Sequence, residues 1–257
     1  MNRFKFYIAF ARNAFREARH NKVLHIAAGF AAALILFSLF MGEVSMYQNE
    51  KVVKDVGLAA ISLLGVFVAI YLGVTSLYQE LEKRTIYSIV SKPIRREDVL
   101  IGKYLGMAWI LGVAVVMMTL YLYLVTSFIE AKIDFALLPA IALIYVELLV
   151  IAAVAVLFSS FSTPFMSGFF TLGFFLVGRV SHILRDFGER SKNDVFKFFA
   201  NLVQKVIDLE PFDLRVHAVH KLPIYMEDFW YPLFYGCVLT ALLIAGSLVV
   251  FRRRDFK

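Results

Sequence analysis

Five stretches of this chain run for twenty residues or more with at most one charged side chain, and they decide what it can become. Val23–Gly42 has 20 residues, Gly57–Gln79 has 23, Tyr104–Ile129 has 26 and Phe229–Phe251 has 23, none carrying Asp, Glu, Lys or Arg. Phe135–Gly178 has 44 residues with a single charge, Glu147. A helix of ~20 mainly apolar residues crosses the ~30 Å hydrocarbon core of a bilayer, and it satisfies its own backbone there. The 44-residue stretch is too long for one crossing. Ser159-Ser160-Phe161-Ser162-Thr163-Pro164 supplies polar side chains and a helix-breaking proline, which divide it into Phe135–Phe158 and Pro164–Val180. The expected fold is an all-α integral membrane protein with six transmembrane helices.

Composition agrees with this reading. With 60% apolar and 18% charged residues and a mean hydropathy of +0.73, the chain is too apolar for a soluble domain or a disordered one. The one cysteine, Cys237, excludes an internal disulfide and a cysteine-based zinc site.

Six crossings place both termini on one side. If that side is the cytoplasm, the inner segments carry 16 Lys and Arg and the outer ones 11, eight of which lie in or at the edge of one long loop. Orientation follows the Lys and Arg count of short loops, so the termini are expected inside, in a bacterial-type inner membrane. The pI of 9.4 then reflects topology and contact with anionic lipid, and no nucleic-acid partner is implied. No cleavable signal is expected, because the basic N-terminal stretch is long and the first apolar segment can span.

Four regions follow. Residues 1–22 place Phe4, Ile8, Ala11, Phe15 and Ala18 at helical spacing, with Lys5, Arg12, Arg16 and Arg19 mostly opposite. This reads as a cytoplasmic amphipathic helix in the interface plane. Residues 23–180 hold spans one to five, with an inner loop at 80–103. Residues 181–228 form the long outer loop. Its stripe of Val195, Phe199, Leu202, Val206 and Leu209 predicts an amphipathic helix, and the alternation in Phe212–Val216 suggests extended chain. Residues 229–257 hold span six and a basic tail. Small residues four apart, Gly65-Ala69-Gly73 and Cys237-Ala241-Ala245, allow close helix approach either within a subunit or at a dimer seam.

The inner loop 80–103 is the most informative segment. Thr85 can cap a short helix whose apolar face is Ile86, Ile89 and Val90, and Ser91-Lys92-Pro93 ends it. A second helix then starts, with Glu97 and Asp98 early in it, and runs through Gly102 into span three. A short amphipathic helix between two spans can seat in the groove of a soluble partner, or it can simply lie along the membrane.

The order Glu82-x-x-Thr85, short helix, Ser91-Lys92-Pro93-Ile94, Arg96, then Gly102-Lys103-Tyr104 and Gly106 resembles the ABC type-2 exporter permeases. Within them it is most similar to the branch annotated for multicopper-enzyme maturation, which includes nitrous-oxide-reductase accessory permeases. Arg84 stands where that family usually carries glycine. The resemblance implies a permease that binds no cofactor itself and works with a dimer of ATP-binding subunits, which hold ATP and Mg. It also implies a second permease subunit, expected to be an identical copy. The coupling helix would be Thr85–Ser91, with Glu82, Arg84, Thr85, Ile86, Tyr87, Ile89, Val90, Ser91, Pro93 and Arg96 facing the ATPase. Gly102, Lys103 and Gly106 would open span three. The chain has no phosphate-binding loop of its own, since Gly102-Lys103 is followed by Tyr104 and opens a span.

Other residues suggest alternatives. Glu147, the acidic residue inside a span, reads as a polar contact on a transport route or subunit seam, or as a tie between helices. Phe165 and Phe169 are candidates to line an apolar exit path, although core packing or lipid contact accounts for the aromatic stripe without one. His217-x-x-His220, near Glu210 and Asp213, would share a helical face and suggests a membrane-embedded metal-handling protein, although surface histidines account for the pattern without a metal. An ion-coupled carrier built on Glu147 is the third class. No catalytic constellation is present in the sequence.

Overall fold

The structure, a computed structural model, describes residues 49–83, 96–130, 134–190 and 207–253, together with 25, 29–33, 35–37, 195 and 197. Its long helices are α1 (Asn49–Lys83), α2 (Arg96–Glu130), α3 (Leu137–Ser159) and α4 (Pro164–Arg190). A 3-10 turn (Glu210–Phe212), the short α5 (Arg215–His220) and the long α6 (Met226–Arg253) follow. No strand occurs among the described residues. Five helices are long and apolar enough to cross a membrane, with cores at Glu50–Thr75, Val99–Ile129, Leu137–Ser159, Pro164–Gly188 and Met226–Val250. The first expected span is represented by helical residues at 25, 29–33 and 35–37, and most of it lies outside the described residues, as do residues 1–22.

The long helices alternate in direction, so the bundle has two ends. One carries Asp134 and residues 207–225; the other carries the turn at Ser160. The helices overrun the apolar stretches. α1 starts eight residues before Gly57, and α4 continues ten beyond Val180. In both places helix-compatible residues continue without a breaker, so the helical ladder outlasts the hydrophobic run. The division of the 44-residue stretch stands where the proline puts it. α3 ends at Ser159, and Pro164 takes the first position of α4, where its missing N–H is no loss.

α3 is the centre of the fold. It packs against α1, α2, α4 and α6, and it buries Ala, Val, Ile and Leu on every side, as a helix apolar all round must. Small residues of α1 make this possible. A Cβ at Gly65 would run into Leu148, and one at Gly73 into Ala155, so Gly65-Ala69-Gly73 is a seam within the chain. Two tyrosines tie α2 to α3: Tyr104 donates to the Leu149 carbonyl at 2.8 Å and Tyr145 to the Ala108 carbonyl at 2.9 Å. α6 lies at the edge, with Phe234, Val238 and Leu242 exposed beside Cys237, Ala241 and Ala245.

At the Asp134 end the chain departs from a plain helix-and-loop plan. Residues 207–222, hereafter the strap, pack back among the helices. The 3-10 turn touches α3, α4 and α6, while α5 touches α1 and α3. Phe212–Val216, expected as extended chain, instead contributes to two helical turns, because Asp213 accepts from the backbone N–H of Arg215 and starts α5.

Candidate functional site

Glu147 is fully buried in the middle of α3. It lies ten residues from Leu137, which at ~1.5 Å per residue puts it ~15 Å along the helix. That is half the thickness of a ~30 Å core. A carboxyl at such a position needs partners, and the neighbouring helices supply them. Arg179 of α4 donates through Nη2 to Glu147 Oε2 at 2.9 Å and to Ser62 Oγ of α1 at 3.1 Å. Its Nη1 donates to Asp213 Oδ2 of the strap at 2.7 Å. Its guanidinium carbon lies 5.8 Å from the centre of the Phe175 ring, one helical turn back on α4. One arginine thus joins three transmembrane helices and the strap.

Asp213 is shared. Arg215 grips both its oxygens, Nε to Oδ1 at 2.8 Å and Nη2 to Oδ2 at 2.6 Å. Burial pushes the Asp213 carboxyl up, but the hydrogen bond from Arg215 and the charge of Arg179 outweigh it and hold the group below the usual carboxylate range. The same pairing holds the Arg215 guanidinium above its ordinary value, against its own burial. The cluster therefore contains two acids and two bases. The second oxygen of Glu147, Oε1, is buried with no hydrogen-bond partner in the structure.

A partly open cavity of about 570 Å³ lies against the cluster. α1 contributes Ala59, Ser62 and Leu63; α4 contributes Phe175, Arg179 and His182; the strap contributes Glu210, Asp213, Arg215 and Val216. His182 Nδ1 is 3.7 Å from Glu210 Oε2, an ion-pair distance but too long for a hydrogen bond.

The strap is seated by shape as well as charge. Gly178 leaves room for Leu209, whose N–H donates to the Gly178 carbonyl at 3.3 Å. Gly236 of α6 leaves room for the Phe212 ring, which stands 5.9 Å from that of Tyr235. Ser181 donates to Asp208 at 3.2 Å. At the same end of the bundle, Lys54 of α1 is almost fully buried and donates to Asp134 at 2.9 Å, while Lys221 stands 3.9 Å from the same carboxylate. Burial raises the Asp134 carboxyl, yet Lys54 and the Ala136 N–H hold it below the ordinary value.

The structure places the residues anticipated from sequence as follows. Glu147 is a tie between helices, bonded to Arg179. Phe165 and Phe169 stand exposed on the outward face of α4, away from the cavity. His217 and His220 do share α5, but no group of three or more His, Cys, Asp and Glu suited to a metal forms among the described residues. Glu82 lies in the last turn of α1, and Arg96 opens α2. Gly102 and Gly106 are buried in α2, with Lys103 between them. Arg84, Thr85, Ile86, Tyr87, Ile89, Val90, Ser91 and Pro93 lie outside the described residues.

The sequence does not mark Arg179, Asp213 and Arg215 as a cluster around Glu147, nor Lys54 as the partner of Asp134. The available signal was Glu147 itself, since a buried acid calls for a base. Arg179, one residue from the end of an apolar run, was the nearest candidate, and the helical spacing of Ile183 and Phe187 beyond it marks the run as unfinished.

The family model described as ABC-2 family transporter protein matches residues 28–256, nearly the whole chain. No curated protein matches it at the level of sequence.

Proposed function

Since the chain belongs to the ABC-2 transporter family, we propose that it is the permease subunit of an ATP-driven exporter in a bacterial-type inner membrane. The family match over residues 28–256 carries this reading, and the long apolar helices support it. ATP and Mg are held by a separate pair of ATP-binding subunits. Their motion reaches this chain through residues 84–95, which join α1 to α2, two long helices that hold the central α3 between them. A second copy of the permease completes the assembly, and the cargo moves outward from the Ser160 end, which faces the cytoplasm together with both termini. The apolar face Ile86, Ile89 and Val90 seats in the ATPase, and Glu82, Arg84 and Arg96 flank it.

The test is co-purification of the tagged chain from its native membrane, with the bound proteins probed for an ATP-binding-cassette subunit. Ile86→Asp and Ile89→Asp are expected to abolish association and cellular function while the protein still accumulates in the membrane. Retention of both in the two variants, or absence of any ATPase partner, overturns the proposal.

A further inference from the structure

The 570 Å³ cavity beside the cluster has the size of a ligand pocket, and its wall is polar on one side and apolar on the other. On the polar side the four cluster charges, Glu147, Arg179, Asp213 and Arg215, cancel, and Glu210 is the acid left over. Its carboxylate is half exposed and accepts no hydrogen bond among the described residues; His182 Nδ1, 3.7 Å away, also has no hydrogen-bond partner. Arg215 has donors to spare. Its Nε and Nη2 hold Asp213, and Nη1 has no acceptor among the described residues. The cavity wall thus offers an idle carboxylate and idle guanidinium hydrogens five residues apart on one segment. A head group that carries both an amine and acid oxygens satisfies both, whereas a net anion meets an acid already in excess.

The apolar side gives such a ligand its second half. Phe175 backs the cavity, and Leu63 and Val216, each about half exposed, stand at its rim. Phe67, exposed one turn beyond Leu63 on α1, carries the apolar surface on toward the Ser160 end. In that direction α4 closes on α1, since a Cβ at Gly168 would touch Ile70 at 3.8 Å, so the cavity has a floor. We propose that the cavity binds a zwitterionic phospholipid of the phosphatidylethanolamine kind. Its ammonium sits on Glu210, its phosphate takes the Nη1 hydrogens of Arg215, and its chains leave past Leu63 and Val216 along the helices. The site is independent of the energy source assigned above, because it rests on the groups of this chain alone.

Native mass spectrometry of the full-length chain, released from detergent holding equal amounts of phosphatidylethanolamine and phosphatidylglycerol, tests it without any ATPase. The wild type is expected to retain phosphatidylethanolamine over phosphatidylglycerol by about tenfold, the worth of one charge-assisted hydrogen bond. Glu210→Gln should bring that ratio near one and leave the lipid-free unfolding midpoint unchanged, because the side chain holds nothing in the fold. Arg215→Gln, which leaves Asp213 paired with Arg179, should weaken both lipids together. Soluble glycerophosphoethanolamine at the lipid's concentration should displace neither. A wild-type ratio near one or reversed overturns the site, as does a preference that survives Glu210→Gln. Displacement by glycerophosphoethanolamine at that concentration overturns the lipid and assigns the cavity to a free zwitterion.

Discussion

At the scale of single residues, Arg179 carries the greatest consequence. It serves Glu147, Ser62 and Asp213 at once, and among the described residues no other donor to Glu147 is found. Removing one partner of a buried pair is far worse than removing both, because the survivor keeps its charge without compensation. Arg179→Ala is expected to lower stability by about 3–5 kcal/mol. The double variant Glu147→Gln, Arg179→Ala should recover most of that loss. Reversible unfolding in detergent, read by circular dichroism, checks both, and a double variant no better than the single would show that the pair is not the source of the effect. Glu147 was legible in the sequence, as an acid inside an apolar run. Its partner was not, because Arg179 looks like an interfacial residue until α4 is seen to continue for eleven residues past it.

At the scale of elements, α1 and α3 meet through glycines, but the two contacts differ in what can yield. A methyl at Gly65 meets the end of the flexible Leu148 side chain. At Gly73 it meets the Cβ of Ala155 and, at 3.2 Å, the Ala152 carbonyl oxygen, which moves only with the backbone. Gly73→Ala is therefore expected to destabilise by about 1–3 kcal/mol, the range for overpacking a filled interior, and Gly65→Ala by less. Paired unfolding midpoints decide it, and the reverse order would contradict this packing. The spacing of Gly65, Ala69 and Gly73 shows in the sequence, as does the proline that separates α3 from α4. The strap does not. Charged residues between spans ordinarily lie in water, and only the partners offered by α1, α3 and α4 draw Asp213 and Arg215 inward.

At the scale of the whole molecule, the apolar runs alone make the helical membrane architecture legible, because the bilayer admits few alternatives to a helix. Direction across the membrane rests on the Lys and Arg balance and is open to a direct check. In a Cys237→Ser background, a cysteine at Ser88 should resist a membrane-impermeant thiol reagent on intact cells and react after lysis, whereas one at Tyr225, exposed at the Asp134 end, should react at once. Labelling of position 88 from outside would invert the molecule and remove the proposed ATPase contact. The central tie also bears on how the chain is made. Glu147 and Arg179 are 32 residues apart on successive helices joined by a short turn, so neither finds its partner until both have emerged from the ribosome. Each alone would carry a penalty of roughly 2.5–3.5 kcal/mol on entering lipid singly. The two helices are therefore expected to enter the bilayer together, as one hairpin, the arginine's arrival letting the glutamate settle in its ionised, bonded form.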